Sequence, residues 1–440
     1  MKLSKVSLAC LLATAGVSMA PAASAETTDG FEFHGYFRAG VLFSVEDDLK
    51  RSKFPASKET LGRLGIESDN HYELALQKNF DLDSGKKIRI KTRAGADNND
   101  ATDNNTNGDA TNQLSSTVNG GDIGIMETFV EFEGITDTGV VWGGKRFYGK
   151  DNYIFMTDFF YTDMSGVGAG VEGIELGGNV WDFAYMASDK NSNDAGRWGN
   201  DTNNTMHSVH VGVNLGKFEL HSMAKYLPDN CNKVDGTIGC DYAETGFEVT
   251  GIYHLDSLWG LPGNGFSKVI GQVGTGLGSG QMLGGTMTEY NAFKPGTGRG
   301  QGMDFMTQVK DGDNSARFLT WGGYFPEDSK WNYFTSIQGQ YNDFDDGRDD
   351  YWVSAMVRPT YNVSEHFFVA TELGVQNAGG DRTDGNSGSA SDYKVTVAPT
   401  IVMNTGMGPA PEIRFLATYL DGTARKDSDV IVGLQADMWW

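Results

Sequence analysis

Among 440 residues there are 3 cysteines and 10 prolines, and beyond residue 25 no long unbroken apolar run. A helix needs about 20 predominantly apolar residues to cross a bilayer, so a helical span is excluded. Strands are not, because a barrel strand crosses in about 9–11 residues with only alternate ones apolar. Positive charge is scarce: 35 Lys and Arg stand against 58 Asp and Glu. With few cations to displace phosphate counterions, nucleic acid is an unfavourable partner. The 7 histidines show no chelating pair. His207 and His210 lie three apart on an extended segment and face opposite sides, so no metal or cofactor is expected. The glycine-rich stretch Gly274–Gly285 lacks the following helix and lysine of a phosphate-binding loop. No nucleophile with an adjacent base is legible, which argues against an enzyme.

The chain opens with Lys2 and Lys5, continues through an apolar run over Val6–Val17, and reaches the small residues Ala23-Ser24-Ala25. That order is the pattern of a secretory signal peptide cleaved after Ala25, leaving residues 26–440 as one domain. Removing residues 1–25 takes two lysines and leaves 33 Lys and Arg against 58 Asp and Glu, a formal charge of −25 over 415 residues. Cys10 leaves with the signal. Cys231 and Cys240 remain in a polar stretch, where an exported chain favours a local disulfide. A metal pair is the competing reading, with no histidine or further cysteine nearby at ligand spacing.

The whole chain has 59 glycines and 12% aromatics, and alternation of period two is the main signal beyond residue 25. Phe31, Phe33, Phe37 and Val41 share one face of an extended segment, with Glu32, His34, Tyr36 and Arg38 on the other. At the end of the chain Val430, Val432, Leu434, Ala436, Met438 and Trp440 oppose Asp429, Ile431, Gln435, Asp437 and Trp439. Ile413, Phe415, Ala417 and Tyr419 oppose Glu412, Arg414 and Thr418. Tyr351, Val353, Ala355 and Val357 oppose Trp352, Ser354 and Arg358.

A soluble β-sandwich also alternates and is the competing architecture. Aromatics at strand ends on the apolar face favour a lipid-facing barrel, as do connections that alternate between short turns and long polar loops. Ala94–Gly121 and Gly379–Asp392 read as such loops, and Asp343–Asp350 reads as an acidic external one. The expectation is an all-β, transmembrane antiparallel β-barrel.

The block Trp142-Gly-Gly-Lys-Arg-Phe-Tyr148, followed by Asp158-Phe-Phe-Tyr-Thr-Asp-Met-Ser-Gly-Val-Gly-Ala-Gly170, resembles the maltoporin family. So, in order, do Phe33-His-Gly-Tyr-Phe-Arg38, Arg63-Leu-Gly65, Gly265-Phe-Ser-Lys268, Arg358-Pro359 and Gln435-Ala-Asp-Met-Trp-Trp440. The resemblance implies an 18-stranded barrel with an inward-folded constriction loop, a homotrimer embedded in outer-membrane lipid, and passage of oligosaccharides, maltodextrins by default.

A pyranose ring has an apolar face that packs on aromatics and hydroxyls that need polar partners. Carried over from the family, the aromatic path falls on Tyr36, Phe266, Trp352 and Trp439. The strand phases place three of these on polar faces: Tyr36 with Arg38, Trp352 with Arg358, and Trp439 with Asp437. His71 stands where the family has a tyrosine, and Phe160 stands where it has a constriction tyrosine. A tryptophan that the family contributes from a neighbouring subunit has no counterpart, since Ala94–Gly121 contains no aromatic. The polar track falls on Arg38, Arg63, Glu73, Lys150, Asp151 and Asp158; a lumen charge that sets ion selectivity is the competing reading for each, and for Lys150 and Asp151 the two readings stand even. Sucrose or a β-glucoside is an alternative cargo, and a general diffusion porin is an alternative function.

Overall fold

The computed structural model describes residues 30–440 apart from 53, 69, 83–84, 99–123, 190–204, 231, 235–236, 287–308, 382–386 and 404–409. The expected signal peptide, Cys231 and most of Ala94–Gly121 lie outside the described residues. Eighteen long strands form one antiparallel sheet. They are β1 (Phe31–Ser44), β2 (Asn70–Asp81), β3 (Lys87–Asn98), β4 (Gly124–Glu133), β5 (Val140–Arg146), β6 (Gly166–Leu176), β7 (Asn179–Asp189), β8 (Thr205–Asn214) and β9 (Phe218–Tyr226). The second half comprises β10 (Thr245–Leu255), β11 (Asn264–Gly276), β12 (Asn314–Phe325), β13 (Trp331–Asp343), β14 (Asp349–Ser364), β15 (Phe367–Asp381), β16 (Ser387–Val402), β17 (Glu412–Asp421) and β18 (Asp429–Trp439). Each strand pairs with its sequence neighbours, and β1 pairs with β18 from Tyr36 opposite Trp439 to Ser44 opposite Ile431. That last ladder closes the barrel and removes both open edges.

Alternation decides what each face meets. Phe33, Leu74, Val353, Phe415 and Leu434 are all roughly half exposed on the outer face, an arrangement unfavourable in water and favourable against lipid. Their strand neighbours Arg38, Glu73, Ser354, Gln435 and Glu412 are buried on the inner face. At the loop end of the outer face, the Tyr393 and Tyr419 hydroxyls donate to Asp421 at 2.7 and 2.9 Å, as interfacial tyrosines with one wet end do. At the other end the Trp440 indole lies over Gly35. A Cβ on Gly35 would come within 2.2 Å of that ring, so the closing strand needs glycine there.

One expectation is corrected. Much of Gly379–Asp392 is strand: β15 and β16 continue through it, with Ser389 opposite Gly379 and Asp392 opposite Gln376. Glycine, serine and aspartate signal a turn locally, but pairing with a fixed neighbour satisfies their backbone groups and prevails over propensity. The stretch Asp343–Asp350 is a tight hairpin at the loop end, closed by the Phe344 amide donating to the Arg348 carbonyl at 3.0 Å.

Among the described residues, connections from the loop end pack inside the barrel. Residues 54–68 carry a helical turn, Lys58–Leu61, and bury Leu61, Leu64 and Ile66 with Ala398, Leu416 and Leu420 of β16 and β17. Residues 147–165 bury Phe155, Met156 and Phe159 against Trp321, Phe334 and Trp352 of β12, β13 and β14. Residues 277–286 bury Leu277 and Met282 with Met206 and Leu227. Their backbones interlock: Asp163 donates its amide to Gly284 at 3.0 Å, and Arg63 donates its amide to Met156 at 2.8 Å.

Candidate functional site

Strand register assembles one wall of the site. Tyr36 on β1 lies opposite Trp439 of β18 on one side and Glu73 of β2 on the other. Two residues along, Arg38 lies opposite Asp437 and His71. All six face inward, so aromatic and charged side chains interleave across three strands. The Tyr36 hydroxyl accepts from Arg38 at 2.9 Å and from Arg63 at 3.3 Å, and its ring lies 5.7 Å from that of His71. His71 Nε2 lies 2.8 Å from Glu73, which also pairs with Arg93. Trp439 is half-buried, packed beside the first inward segment, and keeps part of its surface open.

The first inward segment meets this wall through Glu67. Its carboxylate accepts from Arg63 Nε at 2.8 Å and Lys58 Nζ at 2.9 Å, and Arg38 reaches it at 3.2 Å. Lys58 also donates to Asp158 of the 147–165 connection at 2.6 Å. Burial alone would raise the Asp158 carboxyl, but the Lys58 and Arg63 cations prevail and hold it well below the carboxylate range. Burial opposes the Arg63 charge as well, and the Glu67 carboxylate together with Tyr36 and Asp158 more than offsets it. Asp158 has φ 55°, the left-handed region that a non-glycine residue enters at a cost, here while held by this ion pair.

On the same connection, Phe160 stacks on Tyr153 with centroids 5.1 Å apart and an 18° interplanar angle. Lys150 sits 4.7 Å from the Phe160 ring centre, 4.4 Å from that of Phe147, and 3.7 Å from Asp163. Asp151 is exposed beside it. Trp352 behaves differently from the other rings. It is 2% exposed, with the Phe159 ring edge-on at 6.5 Å, so it is wall material with almost no free face. Phe266 lies farther along, half-buried and edge-on to Trp321 at 5.3 Å. Tyr36, His71, Trp439, Arg38, Arg63, Glu73 and Asp158 therefore form one cluster. Phe160, Lys150 and Asp151 form a second on the inward connection, and Phe266 stands apart.

Sequence reasoning missed the groups that hold the inward segments. Lys394 of β16, fully buried, donates to the carbonyls of Gly62 at 2.5 Å and Leu64 at 2.8 Å and to Glu372 at 2.6 Å. Glu372 also accepts from the Leu64 amide at 3.0 Å and from Arg358 Nε at 2.6 Å. Inward phase would have flagged Lys394 and Glu372, whereas Lys58 and Glu67 lie in a segment with no period to read. Cys240 is disulfide-bonded.

The chain matches the LamB porin family over residues 31–440. The chain belongs to that family. A relative, the maltoporin of Hahella chejuensis, is 26% identical over 98% of each chain. Solved structures similar to this LamB porin include OccAB2 of Acinetobacter baumannii, with 9% identity, 94% of this chain and 98% of that chain covered, and a TM-score of 0.48. DcaP, an outer-membrane channel of the same organism, has 12% identity, 95% and 99% coverage, and a TM-score of 0.44. Family and barrel together make the protein a porin of the bacterial outer membrane, a channel in class.

Proposed function

We propose that this porin passes oligosaccharides, maltodextrins in the first instance, by guided diffusion. The supporting observation is the interleaving of Trp439, Tyr36 and Glu73 with Asp437, Arg38 and His71 across adjacent strands. An aromatic has no lipid to meet on that face, and a pyranose needs both a ring to stack on and charged partners for its hydroxyls. Rings contribute about 0.5–1.5 kcal/mol each beyond their area. A few of them reach the roughly 4 kcal/mol of a millimolar site, weak enough to release the sugar onward. Arg38, Arg63, Glu73 and Asp158 serve as the polar track, with Lys150 and Asp151 beside Phe160 at the narrow part of the passage. Trp352 braces the wall. We further propose a homotrimer, exported with residues 1–25 as its signal peptide.

A second reading within the same mechanism is another oligosaccharide, sucrose or a β-glucoside. It is favoured by Phe160, which offers no hydroxyl and is already stacked on Tyr153, and by His71, which is engaged with Glu73. Block of ion current by maltohexaose, sucrose and cellobiose in a planar bilayer separates the readings. Indifference to all of them leaves a general diffusion porin.

A further inference from the structure

Three inward-facing histidines that the path above does not use meet on adjacent strands. His210 lies on β8, Glu219 and His221 on β9, and His254 on β10. The Tyr148 hydroxyl lies 2.9 Å from His210 Nδ1, and His210 Nε2 lies 3.1 Å from His221 Nδ1. His221 Nε2 then stands 3.4 Å from one Glu219 oxygen, and His254 Nε2 stands 2.8 Å from the other. One continuous row thus runs from the inward connection to the turn end, with the carboxylate between two imidazoles. Gly212, opposite His221, makes room for it. A Cβ there would stand 3.0 Å from the His210 ring and 3.1 Å from that of His221, which stack 5.3 Å apart at 20°.

The chemistry of the row fixes its protons. A carboxylate only accepts, so His221 Nε2 carries a hydrogen and its Nδ1 is bare. His210 Nε2 must then donate, which leaves His210 Nδ1 to accept from Tyr148. One hydrogen lies between the two rings, so the pair takes up one further proton and not two. The row reverses to hold it: His221 Nδ1 donates to His210, and His210 Nδ1 donates to Tyr148. The charge then rests on His221 beside Glu219, and His254 takes a second proton on its own. Both rings are reached from the passage, His221 being 15% and His254 31% exposed, while His210 is 2% exposed and only relays. Lys268 of β11 lies opposite His254 and within electrostatic reach of Glu219 and Asp151, and Tyr161 faces Glu219. At the Tyr148 end stand Arg146, Glu172 and Asp182. With neutral imidazoles, Glu219 and Asp151 exceed Lys268 by one negative charge, and two protons reverse that sign.

We propose that His210, His221, Glu219 and His254 form a proton-binding site that sets the ion selectivity of the turn end of the passage. The site rests on the porin class and not on the oligosaccharide reading, so indifference to sugars leaves it standing. The experiment is the reversal potential of the purified protein in planar bilayers under a KCl gradient, in wild type, E219Q and H221Q/H254Q. The wild-type ratio of potassium to chloride permeability is expected to fall by about two- to fivefold from about pH 8 to about pH 5, with a midpoint within about one unit of 6.5. H221Q/H254Q should lose most of that step and hold the ratio near its wild-type value at high pH. E219Q should start from a ratio below wild type at high pH and move its step to lower pH, because the carboxylate no longer favours the charged rings. Sugar-free conductance within about twofold of wild type shows that each variant keeps the barrel. A wild-type ratio that stays flat overturns the site. A full step in H221Q/H254Q assigns it to His34 and His71, which sit beside Glu32 and Glu73, and overturns the site as well.

Discussion

Lys58 donates to Asp158 across 2.6 Å, joining two segments 100 residues apart in sequence inside the barrel. One belongs to the first inward segment and the other to the connection that carries Phe160, so the two segments are held together by a pair that neither forms alone. Removing one partner of a buried pair costs about 3–5 kcal/mol, and the modest exposure of these side chains places the cost near the lower figure. K58M and D158N are expected to leave the barrel assembled and to raise single-channel conductance and current noise. Unaltered conductance and noise in both variants would show that the segments hold their places without the pair.

The same contact has a definite pH dependence. Asp158 is held below the ordinary carboxylate range in the folded protein. Its contribution is therefore full above an unfolded value near 4 and is lost as pH falls through the depressed folded value. Conductance controlled by this contact should stay constant from about pH 7 to 5 and increase only in stronger acid. A midpoint near neutrality would assign the control to another group.

Trp439 and Trp352 should separate function from stability. Trp439 is half-buried on the inner wall, whereas Trp352 is 2% exposed beneath Phe159. W439A is expected to weaken saccharide block about two- to tenfold with little change in thermal unfolding. W352A empties a packed site, a change that typically costs about 3–5 kcal/mol, and should lower the unfolding temperature. The reverse pattern would mean that the path runs past Trp352.

Lys394 anchors the first inward segment from the opposite wall. K394M leaves Glu372 with Arg358 and the Leu64 amide, takes the Lys394 donor from the Gly62 carbonyl, and leaves the Leu64 carbonyl to Thr396 Oγ1. It should destabilise the segment and displace Arg63, weakening saccharide block more than it changes barrel stability. The double variant K394M/E372Q leaves Arg358 without the Glu372 carboxylate and should lower stability further. Thermal unfolding and block constants on the same preparations check both statements.

The inward and outward phases were legible at Tyr36 with Arg38, Trp352 with Arg358, and Trp439 with Asp437 because a strand's period is fixed at two and register carries it across neighbours. What was not legible has no such period. The segment around Lys58 and Glu67 is placed by Lys394 and Glu372 from distant strands, and Gly379–Asp392 pairs despite its turn-like composition. Trp352 shows the limit of phase: its direction was readable, but its covering depends on Phe159, which arrives from another connection.

The most direct test of the account is the ion current of the purified wild-type channel in a planar bilayer as maltohexaose is titrated, with sucrose and cellobiose in parallel. Reversible, saturating block in the micromolar to millimolar range by at least one of these sugars, weakened in W439A, is the expected result. An open channel that none of them blocks would contradict a saccharide path through Tyr36 and Trp439.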